Sequence, residues 1–354
     1  MSRVQTKQIQ VGSVAVGGDA PISVQSMTNT DTKDIEATVR QILAFEEAGC
    51  HISRSAVNCL EDAQAIPHIR DRTHIPFIAD IQFDYRLALL AVEYGCDCLR
   101  INPGNIGGED RLREVVAACR KRHIPIRVGV NSGSLHRSMI EKYHGVNVES
   151  LAYSALEEVR RMEEMGFYDM KVSIKSSDVR VMIGAYELFS TLSSYPLHLG
   201  VTEAGPPFQG TIKSSVGIGA LLARGIGDTI RVSITGDPVQ EVRIGREILK
   251  SLGLLREGID LVSCPTCART KIDLVSIVEE AERRLKDRKL NIKVAIMGCP
   301  VNGPGEAREA DYGIAGSNGT GVLFRKGVVI RQLPEEQLLD ALMEEIGKAE
   351  RNGR

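Results

Sequence analysis

Three cysteines in the last third of the chain have the spacing of a metal or cluster site. Cys264-Pro-Thr-Cys267 is a C-x2-C pair, and Cys299-Pro300 follows it. Two thiolates at that spacing can bind one centre without straining the loop, and Cys-Pro is common at ferredoxin-type cluster sites. A structural zinc wants four closed ligands, yet no Cys or His follows Cys299. A redox dithiol needs no third cysteine and belongs near a helix start after an N-terminal strand. A cubane iron–sulfur cluster on three thiolates, with its fourth position exchangeable, accounts for the set best; zinc and dithiol are the alternatives. A carboxylate is a weak, displaceable ligand on iron, which leaves that position accessible to a substrate oxygen. Glu306, across a Gly-Pro-Gly turn from Cys299, is close enough to serve, and spacing alone does not separate it from Glu309. Cys50, Cys59, Cys96, Cys98 and Cys119 show no such pairing beyond a C-x-C. They read as small buried hydrophobes.

A second chemistry is carried by arginines. In Ile126-Arg-Val-Gly-Val-Asn131, Arg127, Gly129 and Asn131 share one strand face, and Val128 and Val130 share the other. The same alternation places Arg100 beside Asn102 and Arg231 beside Ser233, with Arg54 the equivalent charge on an earlier strand. Asp80 and Glu203 fall near strand ends, and Lys213 is expected in the loop after the seventh strand. Inward charges are costly unless paired or ligand-bound. Internal ion pairs with Asp80, Glu203 and other acids are one account. Four arginines outnumber those acids, so a ligand with several phosphate oxygens is the better one. The glycine-rich stretch 102–108 could add backbone N–H donors at a following helix start.

The elements that must position these groups follow from the pattern. Eight apolar runs (23–27, 51–57, 76–81, 98–102, 125–131, 170–174, 198–203 and 229–234) alternate with amphipathic stretches, among them 38–48, 86–94, 108–122, 149–164 and 239–252. Several of these stretches end at glycine in C-cap fashion: Gly49, Gly95, Gly166 and Gly253. Strand–helix alternation implies right-handed parallel units. Eight units in this length match an α/β TIM-type (β/α)8 barrel over 1–255. A doubly wound sheet is the runner-up, but its glycine-rich first turn is missing. The remainder, 256–354, reads as a smaller α+β iron–sulfur domain with strands near 293–297 and 321–324 and helices over 272–285 and 334–348. The chain has 354 residues, 43% hydrophobic and 25% charged, with a net charge of −2 that gives no reason to expect a nucleic-acid partner. No apolar stretch approaches a membrane span, and residues 1–7 lack the apolar core of a signal peptide. A cytoplasmic protein with reduced thiols is expected.

The sequence resembles the bacterial 4-hydroxy-3-methylbut-2-enyl diphosphate synthase family over nearly its whole length. The likeness is carried by Val24-Gln-Ser-Met-Thr-Asn-Thr30, Ala79-Asp-Ile-Gln-Phe-Asp-Tyr-Arg86, Leu99-Arg-Ile-Asn-Pro-Gly-Asn-Ile-Gly107 and Arg127-Val-Gly-Val-Asn-Ser-Gly-Ser-Leu135. Leu199-Gly-Val-Thr-Glu-Ala-Gly205, Gly225-Ile-Gly-Asp-Thr-Ile-Arg-Val-Ser233, Ser263-Cys-Pro-Thr-Cys267 and Met297-Gly-Cys-Pro-Val-Asn-Gly-Pro-Gly-Glu-Ala307 complete it. The resemblance implies reductive opening of 2-C-methyl-D-erythritol 2,4-cyclodiphosphate with two electrons. It implies a [4Fe-4S] cluster on Cys264, Cys267, Cys299 and Glu306, which chooses Glu306 over Glu309. It also implies a flavodoxin or ferredoxin donor, and homodimers in which one subunit's cluster faces the other's barrel. Arg54, Arg100, Arg127, Asn131, Lys213 and Arg231 become candidate substrate contacts, with Glu203 and Asp80 candidates for proton delivery. Two departures are visible: Gln82 stands where many relatives have His, so no proton transfer is assigned there, and Pro300 replaces a frequent Val. The rival readings are an electron carrier on a scaffold barrel, and a barrel lyase or aldolase with structural zinc.

Overall fold

The structure is a computed structural model and describes residues 3–286, 288, 290–299 and 309–351. It divides into two compact units, Met1–Leu254 and Leu255–Arg354.

The first unit opens with an antiparallel hairpin of β1 (Ile9–Val11) and β2 (Val14–Val16). Eight strands follow: β3 (Ser23–Met27), β4 (Ile52–Ala56), β5 (Phe77–Asp80), β6 (Cys98–Ile101), β7 (Ile126–Asn131), β8 (Met170–Lys175), β9 (His198–Leu199) and β10 (Thr229–Ile230). All their pairings are parallel, in the order β8-β7-β6-β5-β4-β3-β10-β9, and a parallel bridge from Val172 to Leu197 joins the two ends. The result is the expected α/β barrel, ringed by α1 (Ile35–Glu47), α2 (Leu60–Arg70), α3 (Tyr85–Glu93), α4 (Glu109–Arg122), α5 (Arg137–Lys142), α6 (Val148–Glu164), α7 (Val179–Leu192), α8 (Pro207–Leu222) and α9 (Pro238–Ser251). Gly49, Gly95, Gly166 and Gly253 each take a positive φ just past a helix end, so the C-cap reading is borne out.

The hairpin was not legible from the pattern, and it has a clear role. Ile9, Val11 and Val16 pack on Ile52, Ile78 and Cys98, the inward residues at the beginnings of β4, β5 and β6. One end of the barrel is therefore an apolar plug. Asp228, just before β10, ties the N-terminal segment to the wall: it accepts from Leu197 N at 2.7 Å, Thr6 Oγ1 at 3.0 Å and Arg3 Nη2 at 2.7 Å. Asp228→Ala should leave those donors without an acceptor and cost about 3 kcal/mol, read as a lowered urea midpoint with unchanged slope.

The second unit is a sheet of β11 (Ile259–Ser263), β12 (Ile292–Met297), β13 (Tyr312–Ser317), β14 (Thr320–Arg325) and β15 (Val328–Pro334), in that order. The first three are parallel and the last two antiparallel. Helices α10 (Leu274–Leu285) and α11 (Glu335–Arg351) bury Leu274, Ala281, Leu285, Leu338, Leu342 and Ile346 with Val294, Ile296, Ile314 and Leu323 of the sheet. Among the described residues, no helix is long and apolar enough to cross a membrane.

Candidate active site

Above the plug, period-two alternation turns a row of polar side chains inward. The register runs laterally Asp80–Arg100–Arg127–Lys171 across β5, β6, β7 and β8, with Arg54 opposite Ile78 and Lys175 opposite Asn131. Arg54, Asp80, Arg100, Arg127, Lys171 and Lys175 are all buried. Asp80 is shared: Arg100 Nη1 donates to its Oδ1 at 3.2 Å, Gln82 Nε2 donates to Oδ2 at 3.1 Å, and Arg54 Nε lies 4.0 Å away. Arg100 Nη1 also donates to Gln82 Oε1 at 3.2 Å, so the amide at the departure position links the carboxylate to the guanidinium. Arg54 rests against Met27 Sδ. Arg231 donates to Glu241 Oε2 at 3.2 Å, a buried acid on α9 that also accepts from Ser26 and Ile234.

Arg127 is the exception. Its Nε and Nη2 donate to Ser173 Oγ at 3.1 and 3.0 Å, its Nη1 has no partner, and no acid pairs with it among the described residues. Burial, and then Arg100, push its guanidinium below the ordinary value. Arginine does not give up its proton in proteins, so this direction measures the cost of an unneutralised buried charge. Ion pairing thus explains Arg54, Arg100 and Arg231 in part, and leaves Arg127, Lys171 and Lys175 for an anion.

Two glycines make room for the cations. A Cβ on Gly129 would stand 3.0 Å from Arg100 Nε, and one on Gly200 would stand 2.7 Å from the Arg231 carbonyl oxygen and 3.0 Å from Lys175 Nζ. Gly129→Ala should therefore shift Arg100 and raise KM for an anionic substrate about tenfold, with kcat little changed; steady-state kinetics on the variant checks it. An unchanged KM would place Arg100 outside the binding set.

The remaining candidates are placed differently. Asn131 ends β7 and is half-buried. Glu203 is exposed after β9 with φ +53°, a backbone conformation rare outside glycine and concentrated at functional sites. Burial raises the Asp80 pKa, but Arg54, Arg100 and Arg127 outweigh it and hold the carboxyl below its usual range. Asp80 is thus an ionised partner of the arginines and poorly suited to deliver a proton. Lys213 requires correction: it lies exposed within α8, where the alternation predicts a loop, because α8 starts directly at Pro207. The 102–108 stretch forms a 3-10 turn ahead of α4, whose first turn carries Glu109 and Asp110, acids that disfavour an anion there. Sequence reasoning missed Lys171, Ser173, Lys175 and His198. For Lys171, Ser173 and Lys175 the signal was the alternation in 170–175, the same as in 126–131.

In the second unit, Cys264 and Cys299 leave the C-terminal ends of adjacent parallel strands β11 and β12, paired Ser263 to Ile296. Gly298 N donates to Cys264 Sγ at 3.1 Å, which brings the thiol against the residue preceding Cys299. Cys267 is exposed on the following loop, and the Arg269 backbone N–H holds its thiol below the ordinary value, favouring the thiolate a metal requires. Glu306 and Pro300 lie outside the described residues. Glu309 is exposed, 3.8 Å from Lys293. Among the described residues, no three His, Cys, Asp or Glu side chains stand close enough to hold a metal. Three thiols at one end of one sheet, with no histidine near them in sequence, fit an iron–sulfur donor set.

The chain matches the GcpE TIM-barrel domain over residues 6–246 and the GcpE protein C-terminal domain over 260–348. The chain belongs to the GcpE family. Relatives in this family include a Clostridium perfringens protein named 4-hydroxy-3-methylbut-2-en-1-yl diphosphate synthase (flavodoxin), 56% identical over 97% of this chain and 98% of its own. A Geobacter sulfurreducens protein of the same name is 55% identical over 98% of each chain. Outside the GcpE family, the dihydropteroate synthase of Coxiella burnetii covers 70% of this chain and 97% of its own with a TM-score of 0.51 and 12% identity, a likeness of fold alone.

Proposed function

We propose that this chain is an oxidoreductase that converts 2-C-methyl-D-erythritol 2,4-cyclodiphosphate to 4-hydroxy-3-methylbut-2-enyl diphosphate and water in isoprenoid precursor biosynthesis. Two electrons and two protons balance the oxygen lost as water. The observation that carries the reading is the buried cation excess of the barrel, in which Arg127 forms no ion pair with an acid among the described residues. In this reading Arg54, Arg100, Arg127, Lys175 and Arg231 bind and orient the diphosphate, and Asn131 contributes at the rim. Ser173 fixes the Arg127 fork, and Asp80 with Gln82 fixes Arg100 and Arg54. Glu203, exposed and held in an uncommon backbone conformation, is the better placed of the two acids to move a proton. A [4Fe-4S] cluster on Cys264, Cys267, Cys299 and Glu306 supplies the electrons and Lewis acidity when bound. Flavodoxin or ferredoxin is the donor, and a cytoplasmic homodimer the working form.

An electron carrier on a scaffold barrel has no use for such a buried cation excess. Anaerobic titration with the cyclic diphosphate in the absence of reductant should show saturable binding that weakens steeply with salt. Absence of binding would return the protein to the carrier reading.

A further inference from the structure

Beneath and beside the arginines lies a second set of inward side chains with no assigned task. Lys171 on β8 and His198 on β9 have no exposed surface, and Gln25 on β3 has 1%. Among the described residues, Lys171 Nζ, both ring nitrogens of His198, both amide atoms of Gln25 and Arg127 Nη1 find no hydrogen-bond partner. Buried polar atoms are nearly always satisfied, so their concentration inside one barrel points to something that arrives. Lys171 sits beside Arg127 in the register. The groups acting on Lys171 include Cys98 on β6, Arg127 on β7, Arg54 on β4 and Asp228 before β10, with His198 on β9 also close by. Arg127, Lys175, Lys171 and Arg54 face His198, while Arg127, Arg231, Arg54 and Arg100 face Lys175. The two carboxylates near this set are already engaged: Asp228 by Arg3, Thr6 and Leu197 N, and Asp80 by Arg54 and Arg100. Arginine cannot shed its proton to relieve such crowding; an amine can.

We infer that Lys171, buried without a partner among the described residues beside Arg127, is a further anion-binding residue of the barrel that takes a proton from solvent as the cyclic diphosphate binds. The inference rests on the diphosphate-binding reading above. Burial pushes the Lys171 ammonium down to about 8, a fall that Cys98 opposes and Arg127 reinforces. Two negative charges arriving over the arginines reverse the local field and raise it again, so the amine and one proton from the buffer become an ammonium. The ligand does not confuse the count. Each of its phosphorus atoms carries one ester and one anhydride linkage and so a single acidic proton, and it lacks the second ionisation at about 6 of a phosphomonoester.

The test is titration calorimetry of the anaerobic holoprotein with the cyclic diphosphate, without reductant, at pH 8.5 in buffers of low and high ionisation enthalpy. The expected result is a proton uptake attributable to Lys171 that is clear at pH 8.5 and shrinks as the pH is lowered to 7. Lys171→Arg carries a fixed charge, so it should bind with near wild-type affinity and lose that uptake. Lys171→Met should lose the uptake and bind about tenfold more weakly. Binding heats that do not depend on the buffer would overturn the inference while leaving diphosphate binding intact. Equal proton uptake by all three proteins would overturn it too. If wild type fails to bind, the diphosphate reading itself falls.

Discussion

Arg127→Met should lower kcat/KM for the cyclic diphosphate by two to three orders of magnitude, leave the iron content intact and make the protein harder to unfold. The loss follows from removing two charge-assisted hydrogen bonds to phosphate oxygens, together worth about 3–4 kcal/mol, at about 1.4 kcal/mol per decade. The stability gain follows from the same residue. Arg127 is 1% exposed, faces Arg100 and Arg231, and has one nitrogen without a partner among the described residues. Methionine fills a similar volume without the charge, and replacing buried charge with apolar side chains is often stabilising by about 1–4 kcal/mol. Against this stands the Ser173 hydroxyl, left without its guanidinium at a cost of about 1–3 kcal/mol. Relief of the buried charge outweighs the lost hydroxyl contact, so the denaturation midpoint should rise. An unchanged kcat/KM would remove Arg127 from the binding set. A large loss of stability would mean that its charge is neutralised in the folded protein after all.

Cys299→Ser should produce the second large effect: the chain should lose nearly all of about four irons and its activity should fall by at least about a thousandfold. The buried Cys119 on α4 is the control, since burial pushes its thiol upward and it has no ligand partner in the sequence pattern. Cys119→Ala should keep iron and turnover. Iron and sulfide analysis of anaerobically purified variants decides the matter. Retention of iron in Cys299→Ser, or stoichiometric zinc in the parent, would contradict the cluster assignment.

The barrel and its arginines were legible because charge recurring at period two among Val and Ile is anomalous in a barrel strand. Arg127, Gly129 and Asn131 against Val128 and Val130 show that pattern most clearly. The same pattern in 170–175 was readable in principle, but ending the strand at Ile174 excluded Lys175 and hid the alternation. Lys213 was misplaced for a different reason. Gly210, Gly217 and Gly219 lower helix propensity across 207–222, and tertiary packing overrides them, with Met182 and Val201 filling the space a Gly217 side chain would need. The β1–β2 hairpin consists of two three-residue strands, too short for periodicity to register. Pairing of Arg231 with Glu241 needed α9 against the barrel, and the approach of Cys264 to Gly298 needed the β11–β12 register. Neither long-range contact is encoded in local spacing.

Turnover of the cyclic diphosphate by the anaerobically purified protein, driven by a low-potential artificial donor, is the decisive measurement. One hydroxybutenyl diphosphate should form for every two electrons consumed, with turnover lost in Cys299→Ser and strongly reduced in Arg127→Met. An iron-loaded protein that accepts electrons but leaves the cyclic diphosphate unchanged would contradict the proposed reaction.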